Sequence, residues 1–216
     1  MQHLFSPLTI RGHRLKNRIF STGHMTVMLE NGNPSDRMVA YHQARAAGGV
    51  ALVIVEAARA HPSGISSRPS IAAFDDACIS GYSRIAEACH AHGCKVFGQL
   101  THPGREMSEA LDGTFAVAHA PSAVPNERFH VMPRQMPVAM IEEIVTSFAD
   151  AAARMCRAGL DGVEVIASQG YLLSQFLNPA VNRRNDQYGG SRDGRLRFVR
   201  EVLAAVRQGV GSGMVV

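Results

Sequence analysis

Polar, hydrogen-bonding residues follow four apolar segments of this chain, and together they could bind a planar heterocycle. They lie in the stretches Thr22-Gly-His-Met-Thr26, Glu56-Ala-Ala58, Gln99-Leu-Thr-His102 and Ile166-Ala-Ser-Gln-Gly-Tyr171. Metal-dependent hydrolysis and glycoside cleavage need convergent acids or metal ligands, and this set is nearly free of carboxylates. By itself, the Gln99 amide is more typical of a strand end, where it would cap the backbone of a loop.

A second set of reactive residue types, Cys89-His-Ala-His-Gly-Cys94, could be read as a zinc site. It lies where a helix should end, and there the helix dipole favours histidine and Gly93 can cap the helix. Since no second Cys/His pair has a suitable spacing, we interpret the segment as structural and expect no metal site. Four cysteines in 216 residues form no disulfide framework, which indicates a reducing compartment.

The segments that must position these residues alternate between two periodicities. Apolar, β-branched runs predict strands at Ile19–Ser21, Val50–Glu56, Lys95–Leu100 and Gly162–Val165, with another beginning in Gly213–Val216. Helical spacing predicts helices over Asp36–Ala47, over Ile79–His92, from Ile141 to Met155, and over a stretch that presents Leu196, Val199, Leu203 and Val206 on one face. Thr101–Pro137, rich in His, Pro and Gly, is predicted to be a loop.

Strands that alternate with helices imply parallel βα units. Four units and the opening of a fifth are visible, whereas a complete (β/α)8 barrel needs about 250 residues. The competing doubly wound sheet predicts a G-x-G-x-x-G turn after the first strand, and Thr22-Gly-His-Met25 is not one. We therefore predict that residues 1–216 are one incomplete α/β domain, the N-terminal part of a TIM barrel. The open strand edges of such a half-barrel leave a homo-oligomer as an alternative to a monomer.

Composition excludes several other classes of protein. The net charge is only +4 and no Lys/Arg-rich run occurs, so nucleic acid is not an expected partner. No basic and apolar leader begins the sequence, and the longest apolar stretches are shorter than the ~18 residues of a membrane span. We expect a cytoplasmic protein that acts on a small molecule and has no membrane partner.

Six ordered motifs give the sequence a specific resemblance. They are Leu15-Lys-Asn-Arg-Ile19, Gln99-Leu-Thr-His-Pro-Gly-Arg105, Ala120-Pro-Ser122, Gly162-Val-Glu-Val165, Gly170-Tyr-Leu-Leu-Ser-Gln-Phe-Leu177 and Asn182-Arg-Arg-Asn-Asp-Gln-Tyr-Gly-Gly190. Along essentially its whole length the chain resembles the Old Yellow Enzyme family of NADH:flavin oxidoreductases. It is most similar to the branch of 2,4-dienoyl-CoA reductase and trimethylamine dehydrogenase. The resemblance implies a (β/α)8 barrel, FMN as cofactor and NADH or NADPH as electron donor.

The resemblance also implies which residues hold the cofactor. The backbone around Thr22, Gly23, His24 and Met25 would line the flavin, and Ala57 and Gln99 would contact the isoalloxazine ring. The phosphate site of the family lies in the second half of the barrel, so we predict weak FMN retention by the 216 residues alone. An iron–sulfur cluster and FAD, which the longer members carry, could be present only in a part C-terminal to Val216.

At the substrate positions the sequence departs from the enone reductases of the family. Those enzymes grip a carbonyl with a histidine pair or a His/Asn pair, whereas Ile166 and Gln169 occupy these positions here. Tyr171 matches the tyrosine that serves as proton donor in the dienoyl-CoA reductase branch, and His102 would shape the rim of the site. We therefore expect hydride transfer between the flavin and an unsaturated, dienoyl-CoA-like substrate, with Tyr171 as the acid.

His24 is the second catalytic candidate, and it points to an alternative reaction. Amine dehydrogenases of the family have a histidine here, followed by a cysteine that attaches the flavin. Met25 replaces that cysteine, so we expect non-covalent FMN. Related members demethylate N-methylated amines or amino acids, and an apolar Ile166 would suit that chemistry. An inactive half-barrel is the third alternative.

Overall fold

Strands and helices alternate along the chain from Phe20 onwards. The computed structural model describes residues 3–64, 69–107 and 116–216. Its strands are β1 (Leu8–Ile10), β2 (His13–Leu15), β3 (Phe20–Ser21), β4 (Leu29–Glu30), β5 (Asn33–Pro34), β6 (Leu52–Arg59), β7 (Ile71–Ala72), β8 (Lys95–Thr101), β9 (His119–Ala120), β10 (Arg134–Gln135) and β11 (Gly162–Val165). Its helices are α1 (Asp36–Ala47), α2 (Cys78–His90), α3 (Val138–Arg157), α4 (Leu172–Leu177) and α5 (Arg192–Val210).

The central five-stranded sheet is parallel. Its strands β3, β6, β8 and β11 are neighbours in chain order, and β7 pairs with the end of β6. Gln99 of β8 lies opposite Glu164 of β11, so the two strand ends that carry candidate site residues are in register. Gly162 forms a parallel bridge with Val215, which places the start of a fifth strand beside β11. The predicted series of four parallel βα units and the opening of a fifth is therefore confirmed.

The structure corrects the predicted elements in three respects. β6 spans Leu52–Arg59 instead of Val50–Glu56, because a bulge between Ile54 and Ala57 lets the strand continue pairing with β8. The segment predicted as loop, Thr101–Pro137, contains the short parallel pair β9 and β10. α4 was not predicted, because six residues are too few for a helical periodicity to stand out.

The last helix also buries a different face from the predicted one. Its fully buried residues include Phe198, Val202 and Val206, whereas Leu203 is 42% exposed. Leu203 borders an apolar cavity of about 470 Å³ on the inner side of the sheet, together with Phe97 and Val215.

Apolar side chains fill two separate layers of the fold. The larger layer lies between the sheet and the helices, and Val53, Val96 and Phe148 are among its fully buried members. The smaller layer lies on the inner side of the sheet, where Leu52 and Ile54 pack with the hairpin of β1 and β2. Both faces of the sheet are buried, which explains why the sequences of its strands are unbroken apolar runs. No helix in the described ranges is long and apolar enough to cross a bilayer.

The amino-terminal end of the sheet is fixed by one buried carboxylate. Asp161 Oδ1 accepts a hydrogen bond from Lys95 Nζ at 2.7 Å, and its Oδ2 accepts one from the Val96 N–H at 2.9 Å. His90 Nε2 lies 2.7 Å from the same Oδ2. Hydrogen bonds from these partners keep the pKa of Asp161 below its usual range, although burial opposes them.

Cys89 and Cys94, the ends of the segment that resembles a zinc site, are both buried. Burial raises the pKa of Cys89 to about 12 and that of Cys94 to about 11, so both thiols remain protonated and pack as apolar groups. Among the described residues, no group of three or more His, Cys, Asp or Glu side chains could hold a metal ion.

Candidate active site

The carboxyl ends of the parallel strands meet around one cavity of about 360 Å³. Loops that follow parallel strands emerge at the same edge of the sheet, so residues far apart in sequence become neighbours there. Predicted site residues from three different strand ends line this cavity, namely Met25, Ala57, Gln169 and Tyr171. Arg59, Glu106 and Arg128 also line it, and the sequence had given no role to any of them.

The Gln99 amide lies directly against Gly23, which comes two residues after β3. A Cβ atom added to Gly23 would lie 3.0 Å from Gln99 Nε2 and 3.1 Å from its Cδ, so any larger residue would require the amide to shift. Gln99 Nε2 donates a hydrogen bond to Glu164 Oε1 at 2.5 Å, which fixes the amide across the β8–β11 pair. A glutamine amide held in one orientation presents a donor and an acceptor side by side, which is what a planar ring edge with alternating donors and acceptors requires.

The segment from Thr22 to Thr26 is held in place by Glu56, a fully buried residue in the middle of β6. Glu56 Oε2 accepts a hydrogen bond from the Thr26 N–H at 2.6 Å and another from the Thr26 hydroxyl. Thr26 Oγ1 in turn accepts one from the Met28 N–H at 3.2 Å. Hydrogen bonds to a buried carboxylate are among the stronger ones in proteins, so Glu56 fixes the predicted flavin-lining loop.

His24, one of the predicted catalytic residues, lies on the outer side of this loop. Its Nε2 is hydrogen-bonded to the Tyr41 hydroxyl of α1, and Nδ1 lies 3.4 Å from the Thr22 carbonyl oxygen. The Arg45 guanidinium lies 3.3 Å from the centroid of the Tyr41 ring. The structure therefore places the imidazole of His24 against the first helix, whereas the neighbouring Met25 side chain lines the cavity.

Tyr171 and Gln169 lie in the loop that joins β11 to α4. Gln169 has a φ of +60°, a left-handed conformation that few side-chain-bearing residues adopt, and the next residue is Gly170 at φ +76°. This tight turn brings both side chains to the cavity, with Tyr171 as the residue that precedes the first turn of α4.

Gln175, a buried residue of α4, fixes the two loops that meet at Tyr171. Its Nε2 donates hydrogen bonds to the Pro103 carbonyl at 2.9 Å and to the Gly170 carbonyl at 2.6 Å. Its Oε1 accepts one from the Arg105 N–H at 3.2 Å. The sequence placed Gln175 in the diagnostic motif without a role. A glutamine among the leucines and phenylalanine of this short segment was the signal that could have identified it.

Two predicted substrate-binding residues lie behind the cavity wall. Ile166 is 6% exposed, and its N–H donates to the Leu100 carbonyl at 3.0 Å. His102 is 1% exposed, although its neighbours Thr101 and Pro103 line the cavity. The structure therefore brings together Met25, Ala57, Gln169 and Tyr171 in one cavity but not Ile166 or His102.

His102 belongs to a row of hydrogen bonds that runs to the surface. The Gly104 N–H donates to His102 Nδ1 at 3.0 Å, so the ring carries its proton on Nε2, which donates to Ser63 Oγ at 2.9 Å. The Ser63 N–H donates to His61 Nδ1 at 3.1 Å, so this ring also has its proton on Nε2, 3.2 Å from Glu143 Oε1. The Ser63 hydroxyl then donates to His61 Nδ1 at 2.7 Å.

Burial keeps His102 neutral within this row. Burial is the main cause that lowers the pKa of His102 to about 3, with smaller contributions from His61 and His119. The neutral ring joins the end of β8 to the turn after β6, and these two segments form part of the cavity wall. His102 thus holds the rim in place through Ser63.

Comparison with known proteins agrees with this arrangement. The sequence model described as "NADH:flavin oxidoreductase / NADH oxidase family" matches residues 3–216. The chain belongs to that family. The resemblance to the Old Yellow Enzyme family is thereby confirmed, and the sheet of four parallel βα units is the first part of its barrel.

Individual relatives are considerably longer than this chain. A metal reductase of Desulforamulus reducens is 42% identical over 212 residues, which cover 98% of this chain and 31% of that protein. An NADH oxidase of Thermoanaerobacter brockii is 38% identical over 97% of this chain and 32% of its own length. The structure of 2-naphthoyl-CoA reductase in complex with 2-naphthoyl-CoA has a TM-score of 0.90 and 30% identity, covering 100% of this chain and 35% of that one. The chain thus spans about a third of these proteins.

Proposed function

We propose that this chain supplies the ring-binding part of the active site of an FMN-dependent oxidoreductase. The reductant is NADH or NADPH, and the substrate is an unsaturated acyl compound related to dienoyl-CoA. The observation that carries the proposal is the contact of Gly23 with the oriented Gln99 amide, at the edge of the sheet where Ala57 and Tyr171 line a cavity. Family membership and a relative named for NADH support it.

Bound FMN supplies hydride transfer between a nicotinamide and the substrate. Thr22, Gly23, Met25, Ala57 and Gln99 would hold its ring, and Glu56 would keep the Thr22–Thr26 loop in position through Thr26. The Gln99 amide would orient the edge of the ring with hydrogen bonds, because Glu164 fixes the amide from the other side.

Tyr171 would donate a proton to the substrate carbon next to the carbonyl as the hydride arrives at the neighbouring carbon. This reduces the double bond by two electrons, and solvent reprotonates the phenolate. Gln169 would contact the substrate from the same loop, and Gln175 holds that loop against the end of β8. We assign Ile166 and His102 to the wall that supports this cavity, and His24 to the outer side of the flavin loop.

The relative with bound 2-naphthoyl-CoA supports an acyl thioester as the substrate class. Amine demethylation would require the apolar side chain of Ile166 to face the substrate, and that side chain lies behind the cavity. The acyl compound is therefore the better-supported substrate, and the two can be compared directly in one assay.

Three measurements test the proposal in order. FMN titration, followed by quenching of flavin fluorescence, tests for a flavin site, and weak retention is expected because the candidate residues of this chain would contact only the ring of FMN. Anaerobic mixing with NADH or NADPH tests for reduction of the flavin. Reoxidation by a 2,4-dienoyl-CoA thioester is expected, whereas flavin reduction by an N-methylated amino acid would favour demethylation. No flavin binding even at millimolar FMN would refute the proposal for this chain.

The variant Tyr171→Phe tests the proton donor. Loss of the phenol should lower the rate of thioester reduction at least tenfold, since positioned acids contribute about 10²–10⁴-fold, and should leave reduction of the flavin by NADH unchanged. Tyr82→Phe is the matched control, because Tyr82 is fully buried among the core residues outside the cavity. Near-normal thioester reduction by Tyr171→Phe would exclude the role.

A further inference from the structure

Arg59 is a charged residue of the cavity that the mechanism above does not use. It is the last residue of β6 and follows Ala57 by two positions, so both side chains lie on the same face of the strand and both line the cavity. One amino group of its guanidinium donates a hydrogen bond to the Ser70 carbonyl at 2.9 Å. The guanidinium carbon lies 5.8 Å from the centroid of the Phe74 ring.

Within the described ranges, part of the hydrogen-bonding capacity of Arg59 is not used. Nε is buried and has no hydrogen-bond partner among the described residues. No carboxylate of the described ranges lies within 4.0 Å of its guanidinium nitrogens. Burial lowers the pKa of Arg59 from its ordinary value, which reflects a cation removed from water without a counterion. Such a cation is unfavourable unless an anion meets it.

Among the described residues that line the cavity, positive charges outnumber negative ones. Arg128 lines another part of the wall, and its guanidinium carbon lies 4.9 Å from the centroid of the Phe129 ring. Glu106 is the one carboxylate among the described lining residues, and its Oε1 accepts a hydrogen bond from Asn126 Nδ2 at 2.7 Å. The two arginines therefore outnumber the single acid.

We propose that Arg59, assisted by Arg128, binds an oxyanion of the substrate, so that this cavity selects anionic substrates over neutral ones. The chemical class is a carboxylate or a phosphate, both of which match the planar fork of a guanidinium with two parallel hydrogen bonds. This inference rests on the proposed function, because it assigns the same cavity to the substrate.

The position of Arg59 indicates where the oxyanion lies. Ala57 is a predicted contact of the flavin ring, and two residues of a strand span about 7 Å. Arg59 therefore lines the cavity about 7 Å along the strand from the predicted ring contact. A carboxylate carried directly by an unsaturated acyl chain would reach it, and so would a phosphate of a coenzyme A thioester that folds back over the rim.

Binding without turnover tests the inference independently of the redox reaction. The probes are trans-2-butenoate, its neutral amide and trans-2-butenoyl-CoA, titrated into the FMN-loaded protein and into the flavin-free protein by calorimetry. The wild type should bind at least one of the two anionic probes about 10- to 100-fold more tightly than the amide, because hydrogen bonds to a charged group are worth that ratio. Absence of any preference in the wild type would overturn the inference.

The variant Arg59→Met should abolish that preference, and Arg59→Lys should restore part of it, since an ammonium group cannot make the paired hydrogen bonds. Arg200→Met is the matched control: it removes the same charge from the exposed side of α5, where Arg200 contacts Asp193. A preference that persists in Arg59→Met, with the circular dichroism of the wild type, would refute the role of Arg59.

The two anionic probes distinguish the source of the oxyanion. If Arg59→Met weakens only the butenoate, the partner is a carboxylate, and if it weakens only the thioester, the partner is a coenzyme phosphate. Failure of flavin binding or reduction would instead count against the proposed function and would leave the calorimetric comparison in the flavin-free protein intact.

Discussion

Replacing His42 with leucine should stabilise the protein, and the gain should grow as the pH falls. His42 lies on the inner face of α1, is 2% exposed, and neither ring nitrogen has a hydrogen-bond partner among the described residues. Burial is the largest cause that lowers its pKa from 6.5 to about 4, and the nearby charges of Arg45 and His24 act in the same direction. The ring is therefore neutral in the folded protein at pH 5 and protonated in the unfolded chain.

The expected change in the free energy of unfolding has two parts. At pH 7 the substitution removes unsatisfied buried nitrogens, worth about 1–3 kcal/mol, and loses an edge contact with the Tyr41 ring, worth about 0.5–1.5 kcal/mol. The pKa of His42 is lower in the folded protein than in the unfolded chain, so unfolding takes up a proton between pH 6.5 and about 4. The protein therefore loses stability as the pH falls through this range. Between pH 7 and pH 5 this loss is about 2 kcal/mol for His42.

Urea unfolding at pH 7, 6 and 5 measures both parts, provided that the transition is two-state and its slope is the same in both proteins. The free energy of unfolding should fall by about 2 kcal/mol less between pH 7 and pH 5 in His42→Leu than in the wild type. His92→Gln, at an exposed position beyond α2, is the control and should follow the wild type. An identical pH dependence in His42→Leu and the wild type would show that this ring is not a buried neutral group.

Three further substitutions test the supports of the candidate site. Gly23→Ala puts a methyl group 3.0 Å from Gln99 Nε2 and should weaken FMN binding in a fluorescence titration by about tenfold, with little change in thermal stability; unchanged binding would contradict the proposed ring contact. Gln175→Leu leaves two carbonyls and one N–H unpaired and should lower the free energy of unfolding by about 1–3 kcal/mol. Ser63→Ala leaves the His102 Nε2–H without its acceptor and should cost about 1–3 kcal/mol, and a neutral result in urea unfolding would argue against the hydrogen-bonded row.

The sequence predicted the parallel βα series correctly because local patterns carry that information. Unbroken apolar runs such as that of β6 arise when both faces of a strand are buried, and the spacing of apolar residues in α3 reports one buried helix face. Glycines after helices, such as Gly93 and Gly159, mark the ends, and both have a positive φ in the structure. The short elements β9, β10 and α4 escaped prediction because they depend on tertiary contacts rather than on periodicity.

Only part of the candidate site could be predicted from the sequence, because many of its contacts join residues that lie far apart along the chain. Met25, Ala57, Gln169 and Tyr171 could be assigned to one place because strand ends of a parallel sheet converge. The partners that fix them come from elsewhere and leave no local pattern. Gln175 lies 72 residues from Pro103, whose carbonyl it binds.

The sequence alone determined the family, the parallel architecture and the candidate flavin residues, because ordered motifs and hydrophobic periodicity are properties of the linear chain. Tertiary structure alone decided which side chains face the cavity and which lie behind it. It placed His102 and Ile166 in the wall and His24 against α1, and it brought Arg59 to the cavity without a carboxylate partner in the described ranges. The physical reason is that burial, pairing and orientation of a polar side chain depend on atoms contributed by distant segments, and these exist as neighbours only after folding.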